Sequence, residues 1–109
     1  MGFFTRIPGT DARSLSERID EVHVLDVRQP SEWRHGHIRG AQNVPLMHLT
    51  SRLDTVPRGK TIVTVCASGH RSAVAARALQ RAGYPVENLK GGMHAWTRAT
   101  LPVERARNR

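Results

Sequence analysis

The sequence predicts an α/β domain whose parallel sheet is covered by helices on both faces. Three observations predict it. Short apolar runs rich in β-branched residues alternate with stretches whose apolar residues recur at helical spacing. One run, Val22-His23-Val24-Leu25-Asp26-Val27, is apolar enough for a strand buried on both faces. Another, Thr61-Ile62-Val63-Thr64-Val65, delivers the single cysteine, Cys66, to a short loop before a helical stretch. In sheets of this kind ligands bind beyond the C-terminal ends of the strands. That edge is where Cys66, Asp26 and Arg28 fall.

The elements follow in order. Phe3 to Ile7 reads as a short first strand closed by Pro8-Gly9. Thr10 and Asp11 offer N-caps, Ser14 with Glu17 fits a capping box, and Ala12, Leu15 and Ile19 give Asp11–Ile19 an amphipathic helix. After the strand to Val27, Pro30 and Ser31 open a short turn of helix through Trp33, ended by Gly36. Ile38 to Val44 contains a short extended piece stopped by Pro45. Leu46, Leu49, Leu53 and Val56 then mark a helix before Pro57-Arg58-Gly59. Ser72–Ala82 is helical, with Val74, Ala75, Ala78, Leu79 and Ala82 on one side and Gly83 at the left-handed C-cap position. Val86–Leu89 is the last strand, Gly91-Gly92 a turn, and Met93–Thr100 the final helix.

At 109 residues the chain is one domain, assigned to residues 1–104, with 105–109 as a loose basic tail. A lone cysteine forbids an internal disulfide or a Cys-rich zinc site and suits a reducing, cytoplasmic setting. Met1-Gly2-Phe3-Phe4 runs at once into Thr5-Arg6 and Pro8, leaving no apolar segment for a secretory leader, and no run approaches membrane-spanning length. The net charge of +8 comes mainly from arginines scattered along the chain, with few aromatic residues among them. A solvated surface accounts for this better than nucleic-acid binding, although it should attract small anions and acidic partners.

The loop Cys66-Ala67-Ser68-Gly69-His70-Arg71 carries the chemistry. A thiol between a strand's end and a helix's start faces unpaired backbone N–H groups and the positive end of the helix dipole. Both favour thiolate, as does the guanidinium of Arg71. Such settings lower a cysteine pKa from about 8.5 into a range of roughly 3.5–7.5. The competing account is a buried structural cysteine, which the following Gly, His, Arg and Ser argue against.

These residues resemble a single-domain rhodanese. Leu25-Asp26-Val27-Arg28 with Glu32 is similar to that family's D-V-R-x-x-x-E segment. Gly36-His37-Ile38-Arg39-Gly40-Ala41 with Asn43-Val44-Pro45 resembles G-H-I-x-G-A-x-N-[IV]-P. Cys66 to Ser72 resembles the C-x-x-G-x-R-[SA] loop, and Leu89 to Trp96 the L-x-G-G-x-x-A-W segment. The four stand in order across nearly the whole chain. The resemblance implies a three-layer α/β/α fold on a five-stranded parallel sheet. It also implies sulfurtransferase chemistry with a persulfide on Cys66, needing no cofactor. The partners so implied are a small anionic sulfur donor and a thiol, cyanide or sulfur-accepting protein.

The chemistry can also be built from the residues. The Cys66 thiolate attacks the outer sulfur of a donor such as thiosulfate, and sulfite leaves. The charged terminal sulfur needs donors, which the amides of Ala67, Ser68, Gly69, His70 and Arg71 can supply as a nest, Gly69 taking backbone angles closed to other residues. Arg71 either steadies this anion or sits in a salt bridge with Asp26 or Glu32. His70 adds positive potential or simply faces solvent. Asp26 and Arg28 are similar to a family pair that shapes the site floor and read as structural first. His35 and His37 lack a third ligand and read as hydrogen-bonded loop histidines, and Trp33 and Trp96 as packing. Ala67 stands where many thiosulfate-using relatives carry a basic or bulky polar residue, which puts thiosulfate itself in question more than the persulfide.

Two other functions fit the architecture less well. Phosphatases and arsenate reductases with a comparable loop place five residues between cysteine and arginine; here Arg71 is five positions after Cys66, so four intervene. A non-catalytic or stoichiometric sulfur-carrier module is the other. Inactive relatives usually lack the loop cysteine, whereas this chain keeps it with Gly69 and Arg71. With no second cysteine, discharge of a persulfide must be intermolecular.

Overall fold

The computed structural model describes residues 6–106. Five strands, β1 (Gly9–Thr10), β2 (Val22–Asp26), β3 (Gln42–Asn43), β4 (Thr61–Val65) and β5 (Val86–Leu89), form one sheet in the order β1-β5-β4-β2-β3. Every pairing is parallel. The helices are α1 (Ala12–Glu17), α2 (Pro30–Arg34), α3 (His70–Arg81) and α4 (Gly92–Arg98). Alternate residues of the central strands feed two cores. Leu25, Val27 and Ile62 pack beneath α3 with Ala75, Ala76 and Leu79. Val24, Val63 and Val65 pack on the opposite face with Leu15 of α1 and Met93 and Trp96 of α4. This is the three-layer α/β/α arrangement. Among the described residues no helix is long and apolar enough to cross a membrane.

The β-branched run of β4 suits a central strand. The two-residue period of its side chains puts Cys66 on the α3 face with Ile62. Asp26 lies opposite Val65, so the ends of β2 and β4 open onto the same edge.

Several elements differ from expectation. Of the strand read as Phe3–Ile7, residues 3–5 lie outside the described ones; the first strand is Gly9–Thr10. Pro8 begins the pairing there instead of closing it, accepting from the Asn88 amide at 3.0 Å. Proline is accommodated at the first position of an edge strand. Asp11 caps α1 by accepting from the Ser14 amide at 2.8 Å, which places Ser14 inside the helix and not at its cap. The helix read over Leu46–Val56 is two 3-10 segments, Leu46–His48 and Thr50–Thr55. The apolar pairs 46/49 and 53/56 are three apart, the spacing that eclipses in a 3-10 turn, and the Ser51 and Thr55 hydroxyls donate to carbonyls three residues back.

α3 begins at His70, two residues before Ser72, because Gly69 takes a left-handed φ of 111° and serves as its N-cap. Val74, read on one side with Ala75 and Leu79, is 58% exposed while those two are buried. Gly83 has φ 92°, as its C-cap position requires. At the C-terminal end the backbone stays attached into the segment read as tail: Glu104 bridges His37, and the Ala106 amide donates to the Arg34 carbonyl at 3.1 Å.

Candidate active site

Cys66 ends the strand run and lies at the base of its loop, 1% exposed. Its sulfur accepts the Gly69 amide at 3.0 Å and the Ser72 hydroxyl at 3.3 Å. Burial pushes the thiol pKa up. The Ser72 hydroxyl and the amides of Ser72, Gly69 and Ser68 outweigh it and hold the pKa below its ordinary value. Cys66 therefore packs with the α3-side core while its sulfur meets a backbone amide and a hydroxyl that favour its anionic form.

The loop's carbonyls face the other way. Those of Cys66 and Ala67 accept the amides of Met93 and His94, at 2.8 and 3.0 Å, from the start of α4. Gly92 brings that helix this close, since a Cβ there would overlap both carbonyl oxygens. Asn88 of β5 donates to the Gly69 carbonyl at 3.3 Å, its own side-chain oxygen accepting from Thr64 at 3.2 Å. The Gly69 peptide is thus tied to the sheet as well as to α3.

Of the residues singled out from sequence, Ala67 and Gly69 are half-buried in the loop, and Ser68 and His70 are exposed at its rim, with Ser68 Oγ and His70 Nδ1 3.2 Å apart. Arg71 stands on the first turn of α3. Its guanidinium donates to Glu32 through Nη1 to Oε1 at 2.7 Å and Nη2 to Oε2 at 2.9 Å, which settles the carboxylate as Glu32 and not Asp26. Bonding to Glu32, and then the nearby Cys66 charge, raise the Arg71 pKa above its ordinary value. Arg71 in turn lowers Glu32 to about 2. Glu32 also accepts the Gln29 amide at 3.0 Å in the capping box of α2.

Asp26 and Arg28 form a buried ion pair, with Nη2 to Oδ2 at 2.7 Å and Nε to Oδ1 at 3.0 Å. The Arg28 guanidinium also donates to the Gly36 carbonyl at 2.8 Å. Arg28 and Gly36 flank α2, so this pair fixes the element that carries Glu32, and through Glu32 it fixes Arg71. His35 and His37 hydrogen-bond the carbonyls of Ser31 and Trp33, and Trp33 stacks on the His37 ring at 3.8 Å. Trp96 is buried, its indole donating to the Pro102 carbonyl at 2.8 Å.

Two contributors went unassigned from sequence. Ser72 read as a helix opener; its place six residues after Cys66, at the start of a helix that packs over the cysteine, is a signal pointing to the sulfur. Asn88 carries no such signal, because its role depends on β5 lying beside β4.

The sequence model of the Rhodanese-like domain matches residues 11–99. A sulfurtransferase of Allochromatium vinosum is 37% identical over 97 residues, covering 85% of this chain and 91% of the relative. Some other curated relatives are longer, and the chain spans 53% and 50% of two of them. The crystal structure of a rhodanese-related protein from Thermoplasma volcanium superposes with a TM-score of 0.88 at 32% identity, covering 91% of this chain and 99% of that one. A thiosulfate sulfurtransferase from Pseudomonas aeruginosa gives 0.77 at 29% identity, covering 94% of this chain but 21% of that one. Fold, loop and sequence agree: the chain belongs to the rhodanese-like domain family.

Proposed function

We propose that this protein is a sulfurtransferase that carries sulfane sulfur as a persulfide on Cys66. The observation that carries the reading is the pair of hydrogen bonds to the Cys66 sulfur, from the Gly69 amide and the Ser72 hydroxyl. They favour the thiolate form of Cys66 at the base of the loop. Sulfurtransferase-named relatives support the same chemistry.

In the first half-reaction the Cys66 thiolate attacks the outer sulfur of an anionic donor, thiosulfate or another persulfide donor. A sulfur–sulfur bond forms to Cys66, the donor's own breaks, and the leaving group (sulfite, for thiosulfate) departs with the electron pair. The terminal sulfur keeps the negative charge within reach of the loop amides. In the second half-reaction cyanide or a thiolate attacks that terminal sulfur, and the electron pair returns to Cys66. Arg71, held beside the thiolate by Glu32, favours the anionic states of both halves. Ala67 brings no side-chain donor, so at that position only the main chain can contact the sulfur donor.

Intact-mass measurement after thiosulfate treatment should show one added sulfur atom, lost on adding cyanide with release of thiocyanate. Cys66→Ser should abolish both. A Cys66→Ser protein that still turned over, or a wild-type protein that gained no sulfur from thiosulfate or glutathione persulfide, would refute the assignment.

A further inference from the structure

The outer face of α3 is not explained by the persulfide chemistry. His70, Val74, Arg77 and Arg81 stand at i, i+4, i+7 and i+11, all exposed, forming one stripe roughly 16 Å long that starts at the cysteine loop. α3 contains no carboxylate. Among the described residues neither Arg77 nor Arg81 enters an ion pair. Between the basic residues sits Val74, 58% exposed where its helical neighbours are charged. The 3-10 segment Leu46–His48 packs against α3 and presents Met47 at 75% exposure. Two of the three large apolar side chains most exposed among the described residues, Val74 and Met47, thus lie on α3 and on the 3-10 segment packed against it.

We propose that this stripe, with Met47, is the docking surface for an acidic protein that takes sulfur from Cys66. The inference rests on the sulfurtransferase reading. Unpaired arginines call for carboxylates, and Val74 and Met47 supply the small apolar contacts that a wholly electrostatic encounter lacks. The stripe holds no Phe, Tyr or Trp on which a nucleic-acid base can stack. Cys66 is 1% exposed, so the partner presents its thiol on a slender arm that enters the loop while its acidic body rests on α3. The arm's thiolate attacks the terminal persulfide sulfur, the sulfur–sulfur bond to Cys66 breaks with its electrons returning to Cys66, and the arm leaves as a persulfide.

A labelled Glu/Gly peptide ending in Cys, and a matched Gln/Gly peptide, test this. At low salt the acidic peptide should discharge the persulfide about tenfold faster than the neutral one, and bind the Cys66→Ser protein tighter by a similar factor. Arg77→Glu with Arg81→Glu should erase the preference, and the milder Arg77→Gln with Arg81→Gln should reduce it. Arg13→Glu with Arg98→Glu, an equal charge change on the opposite layer, should leave it intact. Discharge by cyanide should be equal in all of them. Absence of a preference, or its equal loss in both charge-reversed pairs, overturns the proposal. So does a single-stranded RNA oligonucleotide that binds more tightly than the acidic peptide through Arg77 and Arg81. If no persulfide forms, the sulfurtransferase reading fails, while peptide binding to the Cys66→Ser protein still decides the docking surface.

Discussion

Arg71 and Glu32 meet fork to fork, two parallel N–H···O bonds of 2.7 and 2.9 Å joining the first turn of α3 to α2. The carboxylate is lowered to about 2 by Arg71, against an ordinary value of 4.5. A depressed carboxylate stabilises the fold above its unfolded pKa and loses that contribution as pH falls toward the folded one. Both side chains are more than a third exposed, so the pair contributes about 1 kcal/mol after solvent screening. Thermal unfolding of wild type and Glu32→Gln should therefore differ by a constant amount above about pH 5 and converge as pH drops toward 2. A difference unchanged at acid pH would show that the ion pair does not stabilise the fold.

Removing the Ser72 hydroxyl takes away the strongest influence opposing burial of the Cys66 thiol. Ser72→Ala should raise the pH midpoint of Cys66 alkylation by iodoacetamide and lower the neutral-pH rate of sulfur uptake about tenfold. An unmoved alkylation profile would show the hydroxyl to be irrelevant to the thiolate.

Two glycines should respond differently. Gly69 has φ 111° but room for a methyl group, so Gly69→Ala bears mainly backbone strain, about 1–3 kcal/mol, and disturbs the amide that faces the sulfur. Gly92→Ala drives a methyl group into the carbonyls of Cys66 and Ala67 and should cost about 3 kcal/mol or more. Denaturant unfolding of both variants checks the order.

Asn88→Ala should leave the sheet intact, weaken stability by about 1 kcal/mol, and raise the Cys66 alkylation midpoint, because the Gly69 peptide loses its tie to β5. A stability loss with no change at Cys66 would make Asn88 a strand residue only.

A loop with four residues between Cys66 and Arg71 leaves little room for a tetrahedral oxyanion. A generic aryl phosphate should not be hydrolysed. Cysteine-dependent release of phosphate would contradict the sulfur assignment.

Much of the architecture was legible because the strands carry their burial in their composition: β2 and β4 are apolar at adjacent positions, and that pattern requires cover on both faces. Cys66 and Gly69 were legible because loop chemistry is local. What was not legible depends on three-dimensional neighbours. Val74 falls within a helical apolar pattern, yet the small Ala75 and Ala76 are what let α3 approach the sheet, and this rotation turns Val74 outward. The choice between Asp26 and Glu32 for Arg71 depends on Arg28 occupying Asp26 first. Asn88 acts across a strand pairing that no local pattern encodes.

The cradle around Cys66 is main chain apart from the Ser72 hydroxyl: amides turned toward sulfur, carbonyls handed to the start of α4. The side chains of Ala67, Ser68 and His70 therefore bear none of its weight. Those three positions are open to exchange, and a library varied only there would retune which sulfur donor is welcomed while the reactive geometry survives untouched.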